Sequence, residues 1–112
     1  MTDLEQIRVR CAEAMGYEIL IAKGDQPRQP MGRLPDNDWV ALPDYPTSYN
    51  AAFTLVDAMK AKGFELRLSS DLEYSVYTAQ FVDDENSFDA TAPTAPLAIC
   101  LAFLNAEGKE TE

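Results

Sequence analysis

The sequence predicts an α+β fold: a small antiparallel β-sheet sandwiched between α-helices, an αβα sandwich. Three observations lead there. Two segments, near the start and in the middle of the chain, repeat apolar residues at helical spacing. A third, near the end, is apolar all round. Between the last two lie stretches with the two-residue period of strands. With 112 residues and 46% hydrophobic side chains the chain is one domain, of a size that buries about two thirds of its unfolded surface and folds without staples. Its expected extent is residues 1–107, with 108–112 as a fraying tail.

Thr2 and Glu5 form a capping box, and Leu4, Ile7, Cys11, Ala14 and Met15 continue as a helical stripe that Gly16 stops. Residues 17–21, Tyr-Glu-Ile-Leu-Ile, read as a short strand. From 22 to 48 the chain is loop-like, with Pro27, Pro30, Pro35, Pro43 and Pro46 beside Gly24 and Gly32. This loop holds Lys23, Arg28 and Arg33, three of the nine basic residues.

Ser48 caps a second helix with Ala52, Phe53, Leu55, Val56 and Met59 on a wide apolar face, a polar stripe of Asn50, Thr54, Asp57 and Lys60, and Gly63 as its end. Phe64, Leu66 and Leu68 alternate inward on a strand, and Ser69-Ser70-Asp71 turns the chain. A longer strand from Glu73 to Val82 has Tyr74, Val76 and Thr78 on one face and Tyr77, Ala79 and Phe81 on the other, so both faces are expected to be covered. After an acidic loop, Asp83 to Ser87, the last helix starts at Thr94 with Pro96 in its first turn, where a missing N–H costs nothing.

Charge narrows the function. The net charge is −10, with six basic and nine acidic residues in 1–60 against three and ten in 61–112. Such a surface disfavours direct nucleic-acid binding, which rests on basic contacts to phosphates. The longest apolar run, Pro96 to Leu104, is about half a membrane span, and no targeting segment is visible, so a cytoplasmic protein without membrane attachment is expected. Cys11 and Cys100 read as buried free thiols, with a disulfide left open.

No catalytic set stands out. The chain has no histidine, hence no common general base, serine partner or zinc ligand of that type. The carboxylates of Asp83, Asp84, Glu85 and Asp89 lack the glycine and closing glutamate of a calcium loop. Neither a metal nor another cofactor is expected. The most suggestive stretch is 41–53, Ala-Leu-Pro-Asp-Tyr-Pro-Thr-Ser-Tyr-Asn-Ala-Ala-Phe. Here a helix start with free N–H donors adjoins aromatic rings and the only basic loop, a combination suited to an anionic ligand with a planar ring. The candidate ligand-binding residues are Arg28, Arg33, Trp39, Tyr45, Ser48, Tyr49 and Asn50. The alternative is that Trp39 and the tyrosines pack this lead-in onto the sheet while Ser48 serves as a cap alone.

The C-terminal motif Thr94-Ala95-Pro96-Leu97-Ala98-Ile99-Cys100, continued by Ala102 and Leu104, resembles the signature of the phage ABA-sandwich domain family. Similar too are the helix start Tyr45-Pro46-Thr47-Ser48-Tyr49 and the step Met15-Gly16-Tyr17, although the central hairpin has Tyr74 and Tyr77 where the family pattern carries a Trp or similar aromatic. The resemblance implies an αβα sandwich of phage or prophage origin. By analogy with small accessory phage proteins that counter host defence, it suggests a non-enzymatic, homo-oligomeric binding protein that sequesters a nucleotide-type immune signal. The alternative is an acidic interaction protein, a nucleic-acid mimic that blocks a host enzyme.

Overall fold

The structure, a computed structural model, describes residues 3–20, 31–35 and 38–107. The expected Thr2 cap, the basic Lys23 and Arg28, and the 108–112 tail lie outside the described residues. The described elements are α1 (Asp3–Ala14), β1 (Glu18–Leu20), β2 (Met31–Arg33), β3 (Val40–Ala41), α2 (Tyr49–Ala61), β4 (Glu65–Asp71), β5 (Val76–Val82), β6 (Ser87–Ala92) and α3 (Ala95–Ala106). The fold is α+β, with three helices and two antiparallel three-stranded sheets, β1-β2-β3 and β4-β5-β6, consistent with a sandwich.

α3 is the hub. It touches β5 and β6 on one side and α1 and α2 on others, and Ala98, Ile99, Cys100, Ala102, Phe103 and Leu104 are all buried. Apolarity around the whole circumference is what such a position demands. Thr94 caps it by accepting from the Leu97 N–H at 3.4 Å. On α2, Ala52, Leu55, Val56 and Met59 are buried as expected, but Phe53 is exposed, one helical turn beyond an equally exposed Tyr49. The end of α2 is a Schellman turn: the Gly63 and Phe64 N–H groups donate to the Lys60 and Met59 carbonyls, each at 3.0 Å. Gly63 sits at φ +95°, a backbone region in which a side chain is strained. The same pattern closes α1 at Gly16.

The strand and turn boundaries read from the sequence are corrected at three points. The 22–48 segment contains two short strands: β2 pairs Arg33 with Glu18 and Met31 with Leu20, and β3 pairs Ala41 with Met31. Strands of two or three residues carry no readable period. β4 runs on through Asp71, and the turn is at 72–75 rather than 69–71. Asp71 Oδ1 accepts from the Glu73 N–H at 3.0 Å and Ser75 takes a left-handed φ of 52°, which closes the turn one step later. Finally, 87–92 is a strand, β6, whose register sets Phe88 opposite Phe81 and Ala90 opposite Ala79.

The helices cover one face of the β4–β6 sheet. Ala79 and Phe81 are fully buried there, and Phe64 and Phe88 meet with ring centroids 5.9 Å apart. Leu66 packs at the edge of this core, while Leu68 is exposed. The opposite face carries Glu65, Arg67, Ser69 and Asp71 of β4 beside Val76, Thr78, Gln80 and Val82 of β5, with the β4 groups exposed and the β5 groups half-buried. Among the described residues this face is left largely open rather than covered as expected, and Tyr74, the largest of the three side chains that argued for a cover, stands in the turn.

Candidate functional site

The seven sequence-predicted site residues fall into separate environments. Arg28 lies outside the described residues. Arg33 is directly opposite Glu18 in the register, and its Nε donates to Glu18 Oε2 at 2.7 Å. Its guanidinium also stands 4.7 Å from the centroid of the Trp39 ring. Glu18, Arg33 and Trp39 thus form a clasp across the first sheet, a charge pair with a ring stacked on its cation. Both charged groups are largely exposed, so the pair adds a few tenths to about 1 kcal/mol.

Tyr45 belongs to the core: it is 1% exposed. Ser48 caps α2, its Oγ accepting from the Ala51 N–H at 3.3 Å. This leaves the first-turn N–H groups of Tyr49 and Asn50 without intrahelical partners, as at any helix start.

Tyr49 does line a cleft. Pro46, Thr47 and Tyr49 from the start of α2, Thr94 and Pro96 from the start of α3, and Pro93 with Tyr77 of β5 enclose about 330 Å³. Among the described residues, no charged side chain lines it. Two helix starts meet there, but unequally. Pro96 has no N–H and Thr94 takes that of Leu97, so the first turn of α3 keeps one N–H, that of Ala95, against two at α2. A second hollow of about 260 Å³ continues from the shared Tyr77 and Pro93 to Ser70, Asp71, Leu72 and Ser75 of the β4–β5 turn. The sequence pointed to Tyr49; Tyr77 and the Pro93–Pro96 segment were missed because they join Tyr49 only through the fold.

The opposite end of the β4–β6 sheet is acidic. An open hollow of about 500 Å³ is lined by Glu65, Asp83, Asp84 and Glu85, with Arg67 among them. The Glu85 and Asn86 backbone N–H groups donate to Asp83 Oδ1 at 2.8 and 2.5 Å and hold its carboxyl below the usual range. Among the described residues, no group of three or more His, Cys, Asp or Glu is placed to hold a metal ion, and no helix is long and apolar enough to cross a membrane.

Cys11 of α1 and Cys100 of α3 are free, and both are fully buried. The Cys100 thiol is pushed up, first by its hydrogen bond with Cys11 and then by burial. Tyr45 is pushed up by burial and then by Tyr17 and the two cysteines, whose like charge would oppose its ionisation. Groups that hold a proton more tightly when folded stabilise fully below their unfolded values, about 8.5 for Cys and 10 for Tyr, and that stabilisation is lost as pH rises through the folded values. Stability is therefore expected to fall above about pH 8.5, by up to ~1.4 kcal/mol per pH unit for each group. Urea midpoints across the alkaline range check this. Cys100→Ala and Tyr45→Phe should each flatten the decline, and a flat wild-type profile would refute it.

The family model described as the phage ABA sandwich domain matches residues 13–104. A 2.0 Å crystal structure of a phage protein from Bacillus cereus ATCC 14579 superposes with a TM-score of 0.76 at 19% sequence identity, covering 100% of this chain and 93% of that one. At that identity the likeness concerns the fold. None of the curated proteins matches.

Proposed function

The chain belongs to the phage ABA sandwich domain family, and from that premise we propose that it is a non-enzymatic accessory protein that captures a small nucleotide-type ligand in the host cytoplasm, withdrawing a defence signal. The observation that supports this reading is the cleft between the starts of α2 and α3, flanked by Tyr49 and Tyr77 and lined by no charged side chain among the described residues, in a chain of net charge −10. Its volume lies at the lower end of small-molecule pockets. The rings suit a base, and the α2 start suits a single anionic group. Capture at low ligand concentration requires about −12 kcal/mol, roughly nanomolar affinity.

The test is native mass spectrometry with cyclic dinucleotides, cyclic oligonucleotides and ADP-ribose-type compounds, followed by titration calorimetry. One compound is expected to be retained and recovered unaltered. Tyr49→Ala should weaken it by about tenfold or more, an effect of ~1.4 kcal/mol, without lowering the melting temperature, because Tyr49 is exposed. An altered ligand would make the protein an enzyme. No retained mass, or unchanged affinity in Tyr49→Ala, would reject the cleft.

The acidic hollow favours a second reading, a nucleic-acid mimic that blocks a host enzyme. A partner held there would be released by salt; a protein partner retained at high salt would exclude it.

A further inference from the structure

We propose that a second copy of this chain pairs with the free edge of β4 about a two-fold axis, joining two three-stranded sheets into one of six strands. The proposal goes beyond the cleft reading, and neither rests on the other.

β4 pairs with β5 on one side and, among the described residues, with no strand on the other. Such an edge presents a row of unpaired N–H and C=O groups, a template for a further strand. Six of its seven residues are exposed. It has no proline, no lysine and no bulge, the devices that usually keep an edge single. The other edges differ. β1 and β3 have only three and two residues. α3 reaches over to β6, where Asn105 Nδ2 donates to the Asp89 carbonyl at 3.0 Å.

Self-complementarity selects the occupant. In an antiparallel pair about a two-fold axis, residues of one face meet residues of the same face, so each register is centred on one residue. Centred on Leu66, Glu65 of each copy stands opposite Arg67 of the other, which gives two opposite-charge pairs on the open face. On the inner face Leu66 meets Leu66, and Phe64 meets Leu68, a leucine exposed in the single chain. Opposite charges and apolar side chains facing across strands stabilise a pair, and like charges destabilise it. The neighbouring registers do worse. Centring on Glu65 or Arg67 faces that residue with itself, and centring on Leu68 opposes Glu65 with Asp71. Centring on Ser69 pairs Arg67 with Asp71 but sets Glu65 against Glu73 and Leu68 against Ser70. Among these registers the one on Leu66 alone matches charge with charge and apolar with apolar. A foreign strand would need this same alternation, whereas a second copy supplies it by symmetry.

Each copy carries −10, which opposes most approaches of two copies. Within the paired stretch, 64–68, Glu65 is the one carboxylate, and Arg67 answers it. Asp71 lies past that stretch, and Asp83, Asp84 and Glu85 follow Val82, one strand further from the axis. Those acids line one hollow with Glu65, so Arg67 of the second copy brings a cation to the acidic end. Both side chains are available for this. Among the described residues, neither Glu65 nor Arg67 forms an ion pair within its own chain.

The experiment is sedimentation velocity of the full chain without ligand. A species of twice the 12.4 kDa chain mass is expected. Arg67→Glu and Glu65→Arg should each weaken it by about tenfold or more, since each turns two attractive pairs into repulsive ones. The first makes the chain more acidic and the second less, so loss in both does not come from net charge. The double variant, Glu65→Arg with Arg67→Glu, keeps the net charge and should regain the dimer. Both side chains are exposed, so circular dichroism of all three variants should match the wild type. A wild-type protein that stays monomeric over the accessible concentration range would overturn the proposal. So would a dimer indifferent to both single reversals, or a folded double variant that does not dimerise. Loss with Arg67→Glu but not with Glu65→Arg would point to the register on Ser69 and overturn this one.

Discussion

Tyr45→Ala is expected to destabilise the protein by about 3–5 kcal/mol, the range for removing a large aromatic from a core. The ring is 1% exposed, among a core that includes Leu42, Leu55 and Cys100. Its removal opens a cavity in the lead-in that carries the chain into α2. In a domain of this size such a loss lowers the melting temperature by roughly 10–20 °C. Tyr45→Phe keeps the packing and loses only the hydroxyl, a change of about 1 kcal/mol. Calorimetric melting of the two variants checks the ratio. The comparison with Tyr49→Ala then separates two tyrosines four residues apart: Tyr45 should move stability, and Tyr49 should move ligand affinity. Loss of binding in Tyr45→Ala at unchanged stability would return Tyr45 to the pocket wall.

The helices were legible because each condition for a helix was written locally. Ser48 and Thr94 stand at the caps, Gly16 and Gly63 at the ends, and the apolar spacing runs between them. α3 was legible down to its position, since only burial on several sides suits Leu97 to Leu104. The sheets were harder. β2 and β3 have two or three residues each, and their pairing with β1 is visible only in three dimensions. β6 did carry a period in Phe88, Ala90 and Ala92, facing inward between Asp89 and Thr91, but alanines are too small for the alternation to read as a core face. The same limit applied to the site. A helix start can be read from sequence, whereas Pro93 and Tyr77 become neighbours of Tyr49 only once α3 and β5 pack together. Trp39 and Arg33 suggested a ligand because they are aromatic and basic and close along the chain, but the sheet register turns that same proximity into a clasp with Glu18.

Arg8→Ala is the second large effect, expected at about 2–3 kcal/mol. Arg8 stands on α1. In the fold it reaches across to the irregular lead-in: its Nε donates to the Pro43 carbonyl at 3.1 Å and its Nη2 to the Leu42 carbonyl. These acceptors need an outside donor because β3 ends at Ala41 and Pro43 has no N–H with which to extend a strand. A guanidinium offers two donors in a fixed fork to two consecutive carbonyls, which an ammonium cannot match, so Arg8→Lys should recover less than half of the loss. Urea unfolding measures the energy, and limited proteolysis localises it, since cleavage should increase near residues 42–47. The consequence reaches the cleft, because the segment that Arg8 holds runs directly into Pro46, Thr47 and Tyr49. Ligand affinity should therefore fall in Arg8→Ala even though Arg8 does not line the cleft, and Arg8→Lys should restore affinity and stability together. Affinity that falls in Arg8→Ala and is not restored along with stability would mean that Arg8 acts on the ligand itself rather than through the lead-in.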